Sequence, residues 1–363
     1  METGKTIAGS SQSMPFYYGN SGGVASDTQR TFAVPQDWTL GGAQTLSIAF
    51  SGQAGNTGAL YVKINNTKIT YQLDAANIAI GAWQVWNVDL TQIAGSLSSV
   101  STMSIGVDGA GASGMILIDD MKLYAQPGEV ITPVAPGSTG LLAQYSFEGN
   151  ANDSSGNGLN GQMQDSQIVS PGAMNQGSTV QIALGGYVDL GNPASLDFGT
   201  GDWTVAAWFK TGMTGTGDAN KGTIVSKGGD SGGGHRWALI MSETTEGVVT
   251  LVCDDDATKI VVNSNAVTND DQWHFVAGQR AGTEIRIFID GQLEATGTAN
   301  AAYDLAGTSQ HNAYIGAVTN NGSMSLYKLM DGSVDEVAIY NRALSAEELL
   351  WLAGRQSPIE KPF

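Results

Sequence analysis

The sequence predicts an all-β protein made of two tandem antiparallel β-sandwich domains. The chain has 363 residues, and because a single core stops growing near roughly 250 to 300 residues, two domains are expected. Glycine occurs 49 times and charged residues make up only 14% of the chain, a composition that favours many tight turns. Short runs of alternating apolar and polar residues recur between turn residues, which is the pattern of half-buried strands.

The first half of the chain, residues 1–126, is predicted to form one sandwich. Its strand-length runs are "QTLSIAFSG", "GALYVKINN", "WQVWNVDL", "STMSIGVDG" and "GMILIDDMKLY". Turn residues separate these runs, as expected for neighbouring strands of a sandwich. Residues 127–139 lie in the segment "AQPGEVITPVAPGSTG", which carries three prolines, and they are predicted to be a semi-rigid linker.

The second half, residues 140–355, repeats the pattern and is predicted to form a second sandwich. Its clearest element is a hairpin in "EIRIFIDGQLEATG". Asp290 and Gly291 tolerate the positive φ angles of a type I′ turn, and isoleucines alternate before them.

One short helix is predicted near the C-terminus, in "SAEELLWLAGR". Ser345 and Glu348 have the spacing of a capping box, and Gly354 is placed to end the helix. Residues 356–363 are predicted to be a tail.

The charge of the chain argues against some partners. There are 16 Lys and Arg against 34 Asp and Glu, a formal net charge of −18, which disfavours nucleic acid and anionic membrane surfaces. No run of about 18 apolar residues occurs, so membrane insertion is not expected. The first twenty residues lack the apolar core of a secretion signal. The single cysteine, Cys253, is predicted to be a buried thiol.

Four segments of the second half resemble the laminin G-like branch of the concanavalin A-like lectin and glucanase superfamily. They are "YSFEGNANDSSGNGLNG", "DWTVAAWFKT", "DDQWHFVAGQR" with the "IFIDGQL" hairpin, and "DGSVDEVAIYNRALSAEEL". This resemblance implies that residues 140–355 form a jelly roll of two antiparallel sheets.

Three segments of the first half resemble the galactose-binding-like sandwiches of large bacterial extracellular proteins. They are "GSSQSMPFYYGNSG", "RTFAVPQDWT" and "MILIDDMKLY". Such relatives begin a strand or more earlier, so the first sandwich is expected to be truncated or to receive a strand from elsewhere. The resemblances imply that the protein is extracellular or lies at the cell surface.

Two adjacent acids near the C-terminus, Asp335 and Glu336, raise the question of catalysis. The glycosidases of the superfamily use a Glu-x-Asp-x-x-Glu string that places two carboxylates on one strand face, and this string is absent. Adjacent residues of a regular strand point to opposite faces, so the pair is predicted not to share a substrate. The protein is therefore expected to be non-catalytic.

The resemblance implies calcium as a cofactor. Calcium-binding members hold the ion between the start of the last strand and the first strand with its loop, and the matching positions are Asp335, Glu148, Gly149 and Asp153. Oxygen-rich loops of this kind suit calcium. The alternative is that these acids are solvated surface charges.

The resemblance of the first half implies a second place for calcium. Asp119 and Asp120 lie on a closing strand, where related sandwiches use one acid to hold a structural ion. The opening acids that such sites usually contain are missing from this sequence, which counts against a second calcium site.

Two aromatic stretches are candidates for ligand binding. Trp83 and Trp86 are three positions apart, an odd number of steps along a strand, so one of them is expected to face outward. His235, Arg236 and Trp237 follow a glycine-rich loop and could together bind a sugar or a carboxylate, although an ordinary hairpin loop is the alternative. Three other tryptophans are predicted to be core residues: Trp203, Trp208 and Trp273.

Two functions follow from these observations. The first is a non-catalytic carbohydrate-binding or surface-adhesion protein, with a calcium-stabilised jelly roll, whose partner is a polysaccharide or glycoconjugate. The second is a structural or assembly module of a larger cell-surface protein or filament, which associates with itself or with sister surface proteins by strand addition.

Overall fold

The computed structural model describes residues 5–7, 10–93, 97–230, 235–306, 311–320 and 322–361. The chain forms two compact units: unit 1 contains residues 1–132 and 356–363, and unit 2 contains residues 133–355. Within the described residues the secondary structure is almost entirely β, with one α-helix late in the chain, so the all-β prediction is confirmed. No described helix has the length and apolar character needed to cross a membrane.

Unit 1 is a sandwich of two antiparallel sheets, with strand orders β1-β8-β3-β6 and β2-β7-β4-β5. Its strands are β1 (Met14–Gly19), β2 (Ala25–Gln36), β3 (Thr45–Ser51), β4 (Ala59–Ile64), β5 (Thr67–Thr70), β6 (Trp83–Asp89), β7 (Val100–Asp108), β8 (Ser113–Tyr124), β9 (Val130–Ile131) and, at the far end of the chain, β25 (Ile359–Glu360). The core lies between the two sheets. On β1 the alternation is clear, since Phe16 and Tyr18 are buried while Tyr17 is 74% exposed.

The segments predicted to be a linker and a tail meet within unit 1. β9 lies in the predicted linker and pairs antiparallel with β25 of the predicted tail, Ile359 opposite Ile131. Ile359 is buried, so burial of this apolar side chain stabilises the packing of the segment. The chain therefore enters unit 2 and then returns to unit 1.

Unit 2 has one continuous network of strands. They are β10 (Leu141–Tyr145), β11 (Gln162–Val169), β12 (Thr179–Asp189), β13 (Trp203–Lys210), β14 (Gly222–Asp230), β15 (Arg236–Met241), β16 (Val248–Asp254), β17 (Lys259–Val267), β18 (Trp273–Ala281), β19 (Glu284–Ile289), β20 (Gln292–Thr298), β21 (Ala313–Ile315), β22 (Val318–Asn320), β23 (Leu326–Tyr327) and β24 (Gly332–Tyr340). The main path runs β17-β16-β15-β14-β21-β12-β24-β13-β18-β19-β20. Among the described pairings of this unit, all are antiparallel except β14 with β22.

The core of unit 2 contains the side chains that alternate inward from these strands. Trp203 and Trp208 are buried and Trp273 is partly buried against the same unit, so their assignment as packing residues is confirmed. Cys253 is fully buried, and burial raises the pKa of its thiol. It is a structural thiol.

The two local elements with the strongest sequence signals have the expected form. In the hairpin between β19 and β20, Asp290 and Gly291 both have positive φ, as a type I′ turn requires. The helix α1 (Ala346–Leu352) has Ser345 as its N-cap, and Ser345 and Glu348 form both hydrogen bonds of the capping box.

Candidate functional site

A β-bulge in β24 places two acids on the same side of the strand. Glu336 has a φ of 46°, and the pairing of β13 with β24 shifts register between Ala206 and Trp208. Val334 and Val337 both reach the main core although they are three residues apart. The prediction that Asp335 and Glu336 point to opposite faces is therefore wrong, because the extra residue of the bulge interrupts the alternation.

Asp335 is a buried carboxylate, with 3% of its surface exposed. Its Oδ2 accepts a hydrogen bond from the Ala173 backbone N–H at 2.8 Å, and its Oδ1 accepts one from the Glu336 backbone N–H at 2.8 Å. Burial, together with the nearby carboxylates of Glu336 and Glu148, raises the pKa of Asp335 to about 7, against the two backbone hydrogen bonds that lower it. No Lys or Arg of the described residues forms an ion pair with it.

A turn formed by residues 172–178 encloses these carboxylates. Glu148 Oε1 accepts a hydrogen bond from the Ser178 backbone N–H at 3.0 Å. A Cβ added to Gly177 would lie 1.8 Å from Glu148 Oε1. A Cβ added to Gly172 would lie 2.5 Å from Asp335 Oδ2 and 2.7 Å from two backbone carbonyl oxygens. Glycine is thus required where the turn passes the acids.

Asp153 forms hydrogen bonds within its own loop and first strand, unlike Asp335. Its Oδ1 accepts hydrogen bonds from the backbone N–H groups of Gln144 and Ser155, and its Oδ2 accepts one from Leu159. Burial raises its pKa, but these backbone hydrogen bonds hold the net pKa below its usual value. Asp153 therefore orders the loop "NDSSGNG", and the structure does not bring it into contact with Asp335.

Two kinds of oxygen atom lie around the bulge. They are the carboxylates of Asp335 and Glu148 and the carbonyls of the 172–178 turn, and both kinds are ligands that calcium accepts. In the described part of the chain no three His, Cys, Asp or Glu side chains form a metal cluster by themselves, so backbone carbonyls would have to complete the coordination. A bound cation would relieve the repulsion between the buried acids. Gly149 has a φ of 85° and allows the sharp bend after Glu148.

Unit 1 repeats the bulged acid without a cluster around it. Asp120 has a φ of 44°, and Asp119 Oδ1 accepts a hydrogen bond from its backbone N–H at 2.8 Å. The Asp119 carboxylate also accepts from the Ile7 backbone N–H and the Ser10 hydroxyl, while Asp120 pairs with Lys122. Asp119 therefore anchors the N-terminal segment, and this pair is not brought together with other described acids.

The predicted ligand-binding tryptophans are mostly core residues. Trp86 and Trp237 are each 2% exposed, and the Trp237 indole N–H donates to the Leu196 carbonyl at 3.0 Å. Neither indole ring is accessible to a sugar, because each lies on the side of its strand that faces the core. Trp83 lies on the opposite face of β6 from Trp86, as their spacing predicts, and is half-buried.

The two polar candidates next to Trp237 differ. His235 is half-buried and its ring nitrogen hydrogen-bonds to the Ala306 carbonyl. Arg236 is buried, and its guanidinium lies 3.8 Å from the Asp254 carboxylate. Residues 231–234 of the preceding loop lie outside the described residues.

Arg236 belongs to a group of charged side chains on the side of strands β14–β17 that faces away from the main core. We call this group the outer-face cluster: Lys221, Arg236, Glu243, Asp254, Lys259, Tyr327 and Lys328. Lys328 pairs with Glu243 at 2.8 Å and lies over the Tyr327 ring, 5.1 Å from its centroid. Lys221 approaches the same glutamate at 3.4 Å.

The outer-face cluster is electrostatically connected. Burial lowers the pKa of Arg236, whereas Asp254, Tyr327 and Glu243 raise it. Burial raises the pKa of Tyr327 to about 12, against the charge of Arg236. Sequence reasoning singled out only Arg236 of this cluster as a ligand candidate, because the members come from separate strands and loops.

Residues 182–350 match the family model for the concanavalin A-like lectin/glucanases superfamily. This part of unit 2 is similar to members of that superfamily. No curated protein matches the chain. The superfamily resemblance expected for the second half is confirmed.

Three solved structures are among those that this chain matches. Domain 4 of AbnA, a GH43 extracellular arabinanase from Geobacillus stearothermophilus, in complex with arabinotriose, is 20% identical over 59% of this chain and 98% of that one, with a TM-score of 0.46. The binding domain of Paraclostridial Mosquitocidal Protein 1 is 16% identical over 59% and 52%, with a TM-score of 0.46. The Ruminococcus gnavus IT-sialidase CBM40 bound to α2,6 sialyllactose is 18% identical over 53% and 98%, with a TM-score of 0.39. The match spans about half of the Paraclostridial Mosquitocidal Protein 1 binding domain.

Proposed function

We propose that this chain is a non-catalytic carbohydrate-binding protein of the cell exterior, and that the outer-face cluster of unit 2 is its glycan-binding surface. The supporting observation is that charged side chains and the Tyr327 ring lie together on a domain that is similar to a lectin and glucanase superfamily. The more accessible charged members of the cluster, Asp254 and Lys259, can form hydrogen bonds with sugar hydroxyls. The half-buried Tyr327 supplies an aromatic ring beside them.

A glycosidase is the competing function for this superfamily. It would need two carboxyl groups flanking an open substrate site, about 5 to 5.5 Å apart for a retaining enzyme. Asp335 and Glu336 leave the strand on the same side, but Asp335 is buried and each of its oxygens accepts a backbone hydrogen bond. The buried position favours a structural role.

Glycan binding can be tested on the exposed rim of the cluster. Val261 lies on β17 opposite Val252 and is 42% exposed. Val261→Arg should weaken binding in a polysaccharide panel by about tenfold or more, since a bulky charge would block the face. Val267→Arg is a matched control, because Val267 is exposed on the same strand about 20 Å away. No retained polysaccharide for the unmodified chain at millimolar sugar would reject the proposal.

We also propose that calcium binds at the bulge of β24 and stabilises unit 2. The residues that would hold it are Asp335 and Glu148, with carbonyl oxygens of the 172–178 turn. A ligand bound only by the native state raises stability, by about 2.7 kcal/mol at one hundred times its dissociation constant. Thermal melting in calcium and in excess chelator measures this shift.

A substitution in the bulge of β8, in unit 1, is a matched control for the calcium experiment. Asp335→Asn should abolish the shift of the melting midpoint, while Asp120→Asn should leave it unchanged because Asp120 pairs with Lys122 at the surface. The same midpoint with calcium and with chelator in the unmodified protein would exclude the site.

Assembly by strand addition is the second candidate function, and one observation favours it. β2 is a strand of 12 residues at the edge of its sheet, paired on one side with β7. Residues 32–35 form no ladder pairs with β7. Ala33→Pro should therefore prevent another chain from pairing with the free edge of β2, while the pairing of β2 with β7 stays intact. Light scattering at high protein concentration measures the association of the unmodified protein and of the variant. If the unmodified protein is monomeric under these conditions, the assembly function is rejected.

A further inference from the structure

One buried lysine of unit 2 belongs neither to the outer-face cluster nor to the acids at the bulge of β24. Lys227 lies on β14 with 2% of its surface exposed. On the two neighbouring strands it pairs directly with Trp237 and Ala313, which are both core residues. Directly paired residues point to the same face of a sheet, so the Lys227 side chain leaves the sheet on the side of the main core.

The Lys227 amine has two polar partners on one loop. Its Nζ donates a hydrogen bond to the side-chain amide oxygen of Asn192, and it lies 3.4 Å from Asp197 Oδ1. Asn192 comes shortly after β12, and Asp197 follows the short turn Ala194–Leu196. An amine, an amide carbonyl and a carboxylate therefore meet at one point.

The loop that carries these partners is held on both sides of Asn192. Before it, the Leu190 backbone N–H donates to the Ala313 carbonyl at 2.9 Å. After it, the Leu196 carbonyl accepts the Trp237 indole N–H at 3.0 Å. Ala313 and Trp237 are the strand neighbours of Lys227, so the loop is fixed to the same place from which the lysine projects.

The surroundings of Lys227 suit a nucleophilic amine. Burial lowers the pKa of its ammonium group, against the charge of Asp197. A desolvated lysine amine attacks carbonyl carbons. A carboxylate in contact with the amine can take its protons and deliver them to the leaving group.

We propose that Lys227 and Asn192 join in an intramolecular isopeptide bond, with Asp197 as the catalytic base and acid. Nζ adds to Cγ of Asn192 and loses two protons, which Asp197 accepts in turn and delivers to Nδ2. The Cγ–Nδ2 bond then breaks and the nitrogen leaves as an ammonium ion. One Nζ–Cγ bond replaces one Cγ–Nδ2 bond, the positive charge of the lysine leaves with the ammonium ion, and no oxidant or reductant takes part.

This bond would give unit 2 a covalent cross-link of its own. It joins residues 35 positions apart in the sequence and ties the loop after β12 to β14. The chain has a single cysteine, so a disulfide within the chain is impossible. A cross-link of this kind restricts the unfolded chain as a disulfide does. It depends neither on glycan binding nor on calcium.

The mass of the denatured full chain tests the proposal. The purified protein should be lighter than its sequence by about 17 Da, the mass of one ammonia molecule. An asparagine that cyclises onto its own backbone loses the same mass, so tandem mass spectrometry of a digest must locate the change. We expect a branched peptide in which the side chains of Asn192 and Lys227 are joined.

Three variants separate the roles of the residues. Lys227→Arg keeps a positive charge beside Asp197 but should retain the full mass. Asp197→Asn should slow the loss of ammonia at least about tenfold when the unfolded chain is refolded, since it removes the proton acceptor. Lys210→Arg is the matched control, because Lys210 pairs with Asp271 at the surface, and it should lose ammonia as the unmodified chain does.

The mass of the unmodified chain is decisive even if a variant fails to fold. The full sequence mass, or a digest with only linear peptides, would overturn the proposal. A loss of about 18 Da with a link from Lys227 to Asp197 would also overturn it, because that product forms by loss of water from the carboxylate. Loss of ammonia that persists in Lys227→Arg would show that the lysine is not the nucleophile.

Discussion

At the scale of single residues, Gly172 shows how closely the 172–178 turn fits the acid cluster. An added Cβ would lie 2.5 Å from Asp335 Oδ2 and 2.7 Å from two carbonyl oxygens. Gly172→Ala should therefore destabilise unit 2 by about 1 to 3 kcal/mol, the usual cost of overpacking, and should also remove any response to calcium. Urea unfolding with and without calcium measures both effects.

The matched control for this substitution is Gly201→Ala. The nearest atom to a Cβ at Gly201 is 3.4 Å away, so its cost should stay within about 0.5 kcal/mol. Equal losses for the two variants would show that the turn is not tightly packed on the acids.

His274 predicts a pH dependence of stability. Burial lowers its pKa, but Asp290 at 3.0 Å and Asp270 at 3.2 Å raise it, and the net pKa is above the usual value. A raised folded-state pKa gives stability that is complete below the unfolded value of about 6.5 and is lost as pH rises through the folded value.

The difference between the unmodified protein and His274→Asn isolates this contribution, because other acids titrate in both. Denaturant unfolding across this pH range should show the difference falling as the pH rises. A difference that stays constant would mean that the imidazole does not carry the charge.

At the scale of elements, sequence reasoning succeeded where the signal is local. The Asp290–Gly291 turn and the Ser345 cap each depend on a few neighbouring residues, and both have the expected geometry. The bulge at Glu336 was missed, because a non-glycine residue with positive φ leaves no mark in an alternating pattern. The bulge decides how the two acids are oriented, so the prediction that Asp335 and Glu336 point to opposite faces is wrong.

The cap of α1 gives a prediction for this element. Ser345→Ala removes the acceptor for the Glu348 backbone N–H and should cost about 0.5 to 2 kcal/mol of stability in unit 2. Ser345→Asp keeps an acceptor and should cost little. Thermal unfolding compares the two; an alanine variant as stable as the aspartate variant would contradict the role of the cap.

At the scale of the whole molecule, long-range arrangement was the part that the sequence did not reveal. The predicted tail carries Ile359 and Glu360, and nothing local in "SPIEKPF" indicates that it pairs with residues more than two hundred positions earlier. The outer-face cluster has the same character, since Arg236, Glu243 and Lys328 meet only after the strands assemble. Pattern reasoning finds strands, whereas contacts between distant segments depend on topology.

The returning C-terminal segment predicts that a truncation at the end of the chain weakens the unit at its beginning. Ile359 is buried in unit 1, and the Glu360 carboxylate and Lys361 carbonyl both accept hydrogen bonds from Asn87 of β6. Removal of residues 356–363 should cost unit 1 about 2 to 4 kcal/mol. Hydrogen exchange should then accelerate in β6 and β9, while β13 and β18 of unit 2 keep their protection, because the two cores are separate. Accelerated exchange confined to unit 2 would show that the segment supports the domain it follows in sequence.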